Sequence, residues 1–297
     1  MRHVIFFFGS GLAWYVGVCL LLLAAMIPPG RRSWLAGRAL TVGAVVGGVL
    51  LILSGTPQPW WMIGGVLFGL LIISSVTRWK PQAKAAPWLR RLAISLGLLL
   101  LAVELPWAWS AGRLPTPAAP LHEIHVLGDS VSAGMGEREA VVWPVQLAEL
   151  LKQEGRSIPI ISHAQMGATV QSARKQALGL PETPSLVLVA IGGNDLLGPT
   201  TDAKFAEQLN ALLSEICRPD RVVLMLELPL PPLRNAYGAI QRRLSQKYGV
   251  PLIPKRVMAG VLTGPDSTLD SIHLTTAGHA RMAAAMKSYV DRVITSP

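Results

Sequence analysis

Two hydrophobic patterns divide this chain near residue 113. Before that point, long and nearly unbroken apolar runs dominate, roughly Val4–Ile27, Leu35–Leu53, Trp60–Val76 and Leu89–Trp109. A helix rises about 1.5 Å per residue, so about 20 apolar residues cross a hydrocarbon core about 30 Å thick. The runs predict an all-α membrane domain of about four transmembrane helices over residues 1–112. Gly43, Gly47 and Gly48, and then Gly64, Gly65 and Gly69, stand at spacings that suit close helix packing in lipid. Residues 113–120, Arg-Leu-Pro-Thr-Pro-Ala-Ala-Pro, read as a stiff Pro-rich linker.

After residue 120 the runs shorten. Five have strand length: Glu123–Leu127, Ile158–Ser162, Leu186–Ile191, Arg221–Leu226 and Pro251–Pro254. They are filled with Val, Ile and Leu and alternate little, as in strands buried on both faces. Helical patterns fall between them, at Val142–Gln153, Thr169–Leu178, Asp202–Ile216 and Asn235–Tyr248, and Thr275–Val293 closes the chain. This alternation predicts an α/β domain over residues 121–297, with a parallel sheet and helices on both faces. Sites in such sheets gather beyond the carboxyl ends of the strands.

Charge changes the picture in one respect. The formal net charge is +10, and about +9 of it belongs to residues 1–113, where Glu104 is the single acidic residue. A nucleic-acid partner would want basic residues on the folded domain, so none is expected. Arg31, Arg32 and Arg38 fill the first connection, and Arg78, Lys80, Lys84, Arg90 and Arg91 the third, whereas Ser54–Pro59 is uncharged. The positive-inside rule then makes the first and third connections cytoplasmic. The expected location is a bacterial inner membrane, multi-pass, with the C-terminal domain in the periplasm. Trp60, Trp61, Trp107 and Trp109 would lie at the outer interface. A cleaved signal peptide is the rival reading of the first run, which is long for a signal core and lacks a clear cleavage site. Glu104 is expected to snorkel from the outer end of the fourth run. Cys19 and Cys217 are not expected to pair, and no clustered ligands suggest a metal.

Four short motifs carry chemistry: Gly128-Asp129-Ser130, Gly167, Gly192-Gly193-Asn194-Asp195 and Asp270-Ser271-Ile272-His273. A serine hydroxyl needs a base to take its proton and donors to hold the resulting oxyanion. His273 is the expected base, and Asp270, three residues earlier, can hold its tautomer. The backbone N–H groups of Ser130 and Gly167 and the side-chain amide of Asn194 are the expected oxyanion donors. Asp129 and Asp195 read as turn-fixing side chains. His163 reads as a structural histidine with a substrate role as its rival; His122, His125 and His279 read as surface or packing residues.

In this order the motifs resemble the SGNH (GDSL-type) serine hydrolases, closest to the arylesterase, thioesterase I and lysophospholipase L1 branch. The phrases Val126-Leu127-Gly128-Asp129-Ser130-Val131-Ser132-Ala133-Gly134, Ile191–Asp195, Val250–Pro254 and Asp270–Leu274 carry the likeness, which spans about Leu121 to Tyr289. It implies a flavodoxin-like three-layer sandwich, catalysis by Ser130, Asp270 and His273, and no cofactor. Two positions depart from it: His163 stands where relatives commonly place Asn, and Glu227 adds a carboxylate at the carboxyl edge. The expected function is a membrane-anchored extracytoplasmic serine esterase acting on a lysophospholipid, another acyl ester or thioester, or an acetylated glycan. The rivals are an O-acyltransferase acting on an envelope glycan and a non-catalytic envelope scaffold. Protein partners are not legible.

Overall fold

The computed structural model describes residues 2–26, 34–58, 61–65, 68–69, 86–108, 114–135 and 141–294. Arg31, Arg32, Arg78, Lys80, Lys84, Trp60, Trp109 and positions 70–76 of the third apolar run lie outside the described residues.

Five strands, β1 (Glu123–Gly128), β2 (Ile160–Ser162), β3 (Ser185–Ala190), β4 (Arg221–Leu226) and β5 (Leu252–Ile253), form one sheet in the order β2-β1-β3-β4-β5. Every pairing is parallel, with Val126 opposite Ser162 and Leu188, and Leu188 opposite Leu224. This is the doubly wound order of flavodoxin-like folds. All of β3 is buried, as its unbroken apolar run requires.

Successive residues of a strand feed opposite faces. Val187, Val189, Val223 and Met225 pack against Phe205, Leu209, Tyr237 and Leu244 of α9 (Asp202–Ile216) and α10 (Asn235–Tyr248). Leu186, Leu188, Leu224 and Leu226 pack against Trp143, Leu147 and Leu151 of α6 (Trp143–Gln153) and Met282, Met286 and Val290 of α12 (Thr276–Ile294). Leu114, within the Pro-rich linker, and Leu121, just after it, also pack beside this second face. The remaining helices here are α5 (Ser130–Ala133), α7 (Val170–Ala177), α8 (Gly193–Leu197) and α11 (Lys255–Thr263).

The amino-terminal part is helical where described: α1 (Arg2–Gly9), α2 (Leu12–Met26), α3 (Trp34–Leu53) and α4 (Ala86–Ala108). Residues 61–65 are helical too. Among the described residues, Arg91–Ala108 is long and apolar enough to cross a membrane. A second such unit exists if α1 and α2 count together, but a 71° bend separates them. The first apolar run is thus two helices, broken at Ser10-Gly11, where Gly11 takes φ +85°. Of the glycines singled out in the sequence, Gly47 makes a close crossing. A Cβ there would come 2.8 Å from the Gly17 carbonyl of α2. Gly43, Gly64, Gly65 and Gly69 meet nothing within 4 Å.

These helices join the sheet at the carboxyl ends of β4 and β5. A Cβ on Gly55 would collide with the Leu230 carbonyl, and one on Gly9 would touch Pro229. Glu104 does not snorkel: it is 1% exposed. Arg242 of α10 holds it in a bidentate pair at 2.7 and 2.8 Å and donates its Nε to Glu227 at 2.7 Å. Gln58 donates a further bond to Glu104 at 3.1 Å. Lys255 gives its backbone N–H to Glu227 and its ammonium to the Gly55 carbonyl at 2.7 Å. Burial pulls Lys255 down to about 8, against the pull of both carboxylates. Two carboxylates and two cations therefore close a nearly neutral buried cluster across the junction.

Candidate active site

At the end of β1 the chain turns sharply. Asp129 accepts the Val131 N–H at 3.0 Å and caps α5, which places Ser130 at the first helical position, 5% exposed. The turn is pinned from behind by Gln176 of α7, whose amide both accepts the Gly128 N–H and donates to the Gly128 carbonyl, each at 2.9 Å. Gln176 was not singled out in the sequence, because a neutral amide on a short helix carries no signal there. Gly128 is itself required, since a Cβ would fall 2.7 Å from the Ser132 hydroxyl.

Gly167 follows β2 with φ +73° and open space where a Cβ would stand. Its glycine is demanded by backbone conformation rather than by crowding within the protein. The next motif holds this loop. Asn194 donates its amide to the Ala168 carbonyl at 2.9 Å, leaving one N–H of the amide unused by that bond. The buried carboxylate of Asp195 accepts the Val170 N–H at 2.9 Å, and burial raises its pKa. Asn194 and Asp195 together tie the loop after β3 to the loop after β2.

Asp270 and His273 lie on a loop closed by the Thr268–Leu274 bridge. His273 Nδ1 stands 2.6 Å from Asp270 Oδ2, and Asp270 Oδ1 accepts the N–H groups of His273 (2.9 Å) and Ile272 (3.1 Å). The His273 N–H first, and then its imidazole, hold Asp270 down at about 2. Thr275 accepts the Gly278 N–H at 3.2 Å and so caps α12.

His273 is close enough to Asp129 to act on its charge. Burial pushes Asp129 up to about 6, and the Val131 N–H and then His273 pull the other way. A Cβ on Gly193 would come 3.4 Å from Asp129 Oδ2, which places the Asn194 motif against the same turn. The structure therefore gathers all four sequence motifs at the carboxyl edge of the sheet. A hydroxyl at a helix N-terminus, a histidine fixed by a carboxylate and a glycine–amide pair on facing loops are the parts of acyl transfer.

The other histidines stand apart from this chemistry. His163 Nε2 pairs with His125 Nδ1 at 2.9 Å, and His125 Nε2 pairs with Glu123 at 2.9 Å. Burial lowers both imidazoles, and the chain of bonds supports the structural reading of His163. His279 accepts the Trp143 N–H at 3.3 Å. Glu227, at the carboxyl edge, faces the helix junction through Arg242.

Comparison with known proteins agrees with this geometry. A profile of the GDSL-like Lipase/Acylhydrolase family matches residues 126–281. The chain is 30% identical over 145 residues to thioesterase 1/protease 1/lysophospholipase L1 of Escherichia coli strain K12, covering 46% of this chain and 68% of that one. It is 31% identical over 138 residues to esterase TesA of Pseudomonas aeruginosa, covering 43% and 69%. A crystal structure of TesA superposes with a TM-score of 0.52 at 24% identity over 58% of this chain and 99% of the other, which supports the fold. The chain belongs to the GDSL-like lipase/acylhydrolase family and is an ester-hydrolysing serine hydrolase of the SGNH type.

Proposed function

We propose that this chain is a membrane-anchored, extracytoplasmic serine esterase with Ser130, Asp270 and His273 as its catalytic triad. The observation that carries the triad is the 2.6 Å contact between His273 Nδ1 and Asp270 Oδ2, on the loop that leads into α12. With Nδ1 bound to Asp270, Nε2 is the nitrogen free to serve the serine. Ser130 Oγ bonds to the acyl carbon as its proton passes to His273. The oxyanion is held by the N–H groups of Ser130 and Gly167 and the amide of Asn194. Collapse expels the alcohol or thiol, which takes the proton from His273, and water then releases the acid from the acyl-enzyme by the same steps in reverse.

An ester or thioester of a lipid, or an acetylated glycan, is the proposed substrate. The relatives' names, a thioesterase and lysophospholipase and an arylesterase of Vibrio mimicus, lie in that range. The anchor reading rests on the apolar length of Arg91–Ala108 and on the concentration of basic residues before residue 113. The test is labelling with a fluorophosphonate probe. Wild type should label, and Ser130→Ala and His273→Ala should not; unlabelled, folded wild type would remove the activated serine. Product analysis with a glycan acceptor separates hydrolysis from transfer.

A further inference from the structure

The amino-terminal helices and the active site share one edge of the sheet. The junction is made at Glu227, Pro229, Leu230 and Lys255, where β4 and β5 end. Ser130, Gly167 and Asn194 follow the carboxyl ends of β1, β2 and β3. The segments that meet the hydrolase are the α1–α2 break, the stretch after α3 (Gly55 and Thr56) and the last turns of α4, where Glu104 and Trp107 meet Arg242. A bidentate guanidinium pair fixes orientation as well as distance. The hydrolase is thus held with its active edge turned toward the helices, rather than away from them or sideways.

That same edge carries large apolar side chains in the open. Met135, Met166, Leu233, Leu269 and Ile272 on the loops around the site, and Leu197 at the end of α8, are 39–71% exposed. Leu233, the most exposed of the six, is held at φ +67°, a conformation that disfavours a leucine. Apolar side chains clustered on one rim mark an interaction surface. The rim continues an interface already made by α4, the described helix apolar enough to span a bilayer.

We propose that this rim rests on the outer face of the bilayer that the chain spans, with its apolar side chains in the boundary between headgroups and acyl chains. The site then takes acyl esters from the membrane surface in preference to solution. This rests on the anchor and esterase readings above. Interfacial binding of this kind scales with the apolar area buried.

The test uses the full chain in lipid nanodiscs and compares wild type with Leu197→Ser/Leu233→Asn, neither position being part of the catalytic set. Asn tolerates the left-handed backbone at 233, so the fold should survive. Turnover of a soluble acetyl ester should be unchanged. Turnover of a long-chain ester embedded in the nanodisc should fall about tenfold, because full burial of two leucines is worth roughly a hundredfold or more and an interfacial position captures only part of it. An equal fall on both substrates, or no fall on either, overturns the proposal. A second readout does not need catalysis. An environment-sensitive fluorophore at Leu233→Cys, with Cys19 and Cys217 replaced by Ala, should be quenched by spin-labelled lipid. The same fluorophore at Leu178→Cys, 87% exposed just past α7 and ahead of β3, should not. No quenching at 233 overturns the docking. Quenching at 233 without turnover of any ester would sink the esterase reading and leave the docking intact.

Discussion

Replacing Arg242 by Met tests whether the buried cluster holds the two parts of the chain together. Met keeps an apolar stem but loses the guanidinium, whose carbon lies 4.8 Å from the centre of the Trp107 ring. It removes the bidentate pair to Glu104 and the bond to Glu227, whose side chains are 2% and 1% exposed. Glu104 then keeps Gln58, and Glu227 keeps the Lys255 N–H, as donors. Removing one partner of a buried ion pair costs about 3–5 kcal/mol, because the charge left behind is desolvated and unpaired. For a domain of about 150–250 residues that corresponds to a melting point lower by roughly 6–20 °C. Glu104→Gln, which leaves Arg242 with Glu227, should cost less, about 1–2 kcal/mol. The double variant should be more stable than the sum of the single losses predicts, with a coupling of about 1–3 kcal/mol. The assay is intrinsic tryptophan fluorescence on heating in detergent. An Arg242→Met melting point within about 3 °C of wild type would refute the reasoning, and so would strict additivity.

Three further outcomes follow from the site. Asn194→Ala should lower kcat for a soluble ester about 10²–10³-fold by removing one oxyanion donor, and a loss under tenfold in steady-state kinetics would take Asn194 out of that role. Asp270→Asn should cost about 10–100-fold, less than the roughly 10⁴ seen for a buried triad aspartate, because its side chain is 54% exposed and solvent shares its work; unchanged kinetics would mean that the loop alone orients His273. Asp129→Asn should stabilise the fold at pH 8 by about 1–3 kcal/mol, since a buried aspartate raised to about 6 is charged there at a cost. The folded state binds the proton more tightly than the unfolded one, so the wild type loses stability as pH rises from about 4 through 6. The gain should vanish below about pH 4, where both forms are neutral, and a gain independent of pH in denaturant titrations would contradict the assignment.

Much of the fold was legible because its signals are local. β1 and β4, α9 and α10 match the sequence expectation almost residue for residue, since buried parallel strands and capped helices write themselves as apolar runs and turn residues. The site motifs were legible for the same reason: three follow the end of a strand, and the fourth, Asp270–His273, stands just ahead of the capped last helix. Features built from distant partners were not. Arg242 lies in a stretch, Gln241-Arg-Arg-Leu-Ser-Gln-Lys247, that reads as a solvated basic face. Nothing in that stretch points 138 residues back to Glu104. Gln176 is silent in the same way, because its partner Gly128 is 48 residues away. α5 and α8 have four and five residues, too few for a helical period to show. α11 was missed behind Pro254, where a basic first turn masked its apolar face. The break at Ser10-Gly11 was visible as Gly9-Ser-Gly11, but the surrounding hydrophobicity outweighed it.

The 138-residue gap between Glu104 and Arg242 also bears on how the protein is made. Translation at about 5–20 residues per second puts roughly 7–28 seconds between the two side chains leaving the ribosome. Through that interval Glu104 has been synthesised and its guanidinium partner has not. The carboxylate must stay hydrated, or take up a proton, until the sheet behind it is nearly finished. Docking of the two parts is therefore a late event in biosynthesis. Chains arrested before residue 242 should leave the segment around Glu104 open to protease, and longer ones should protect it.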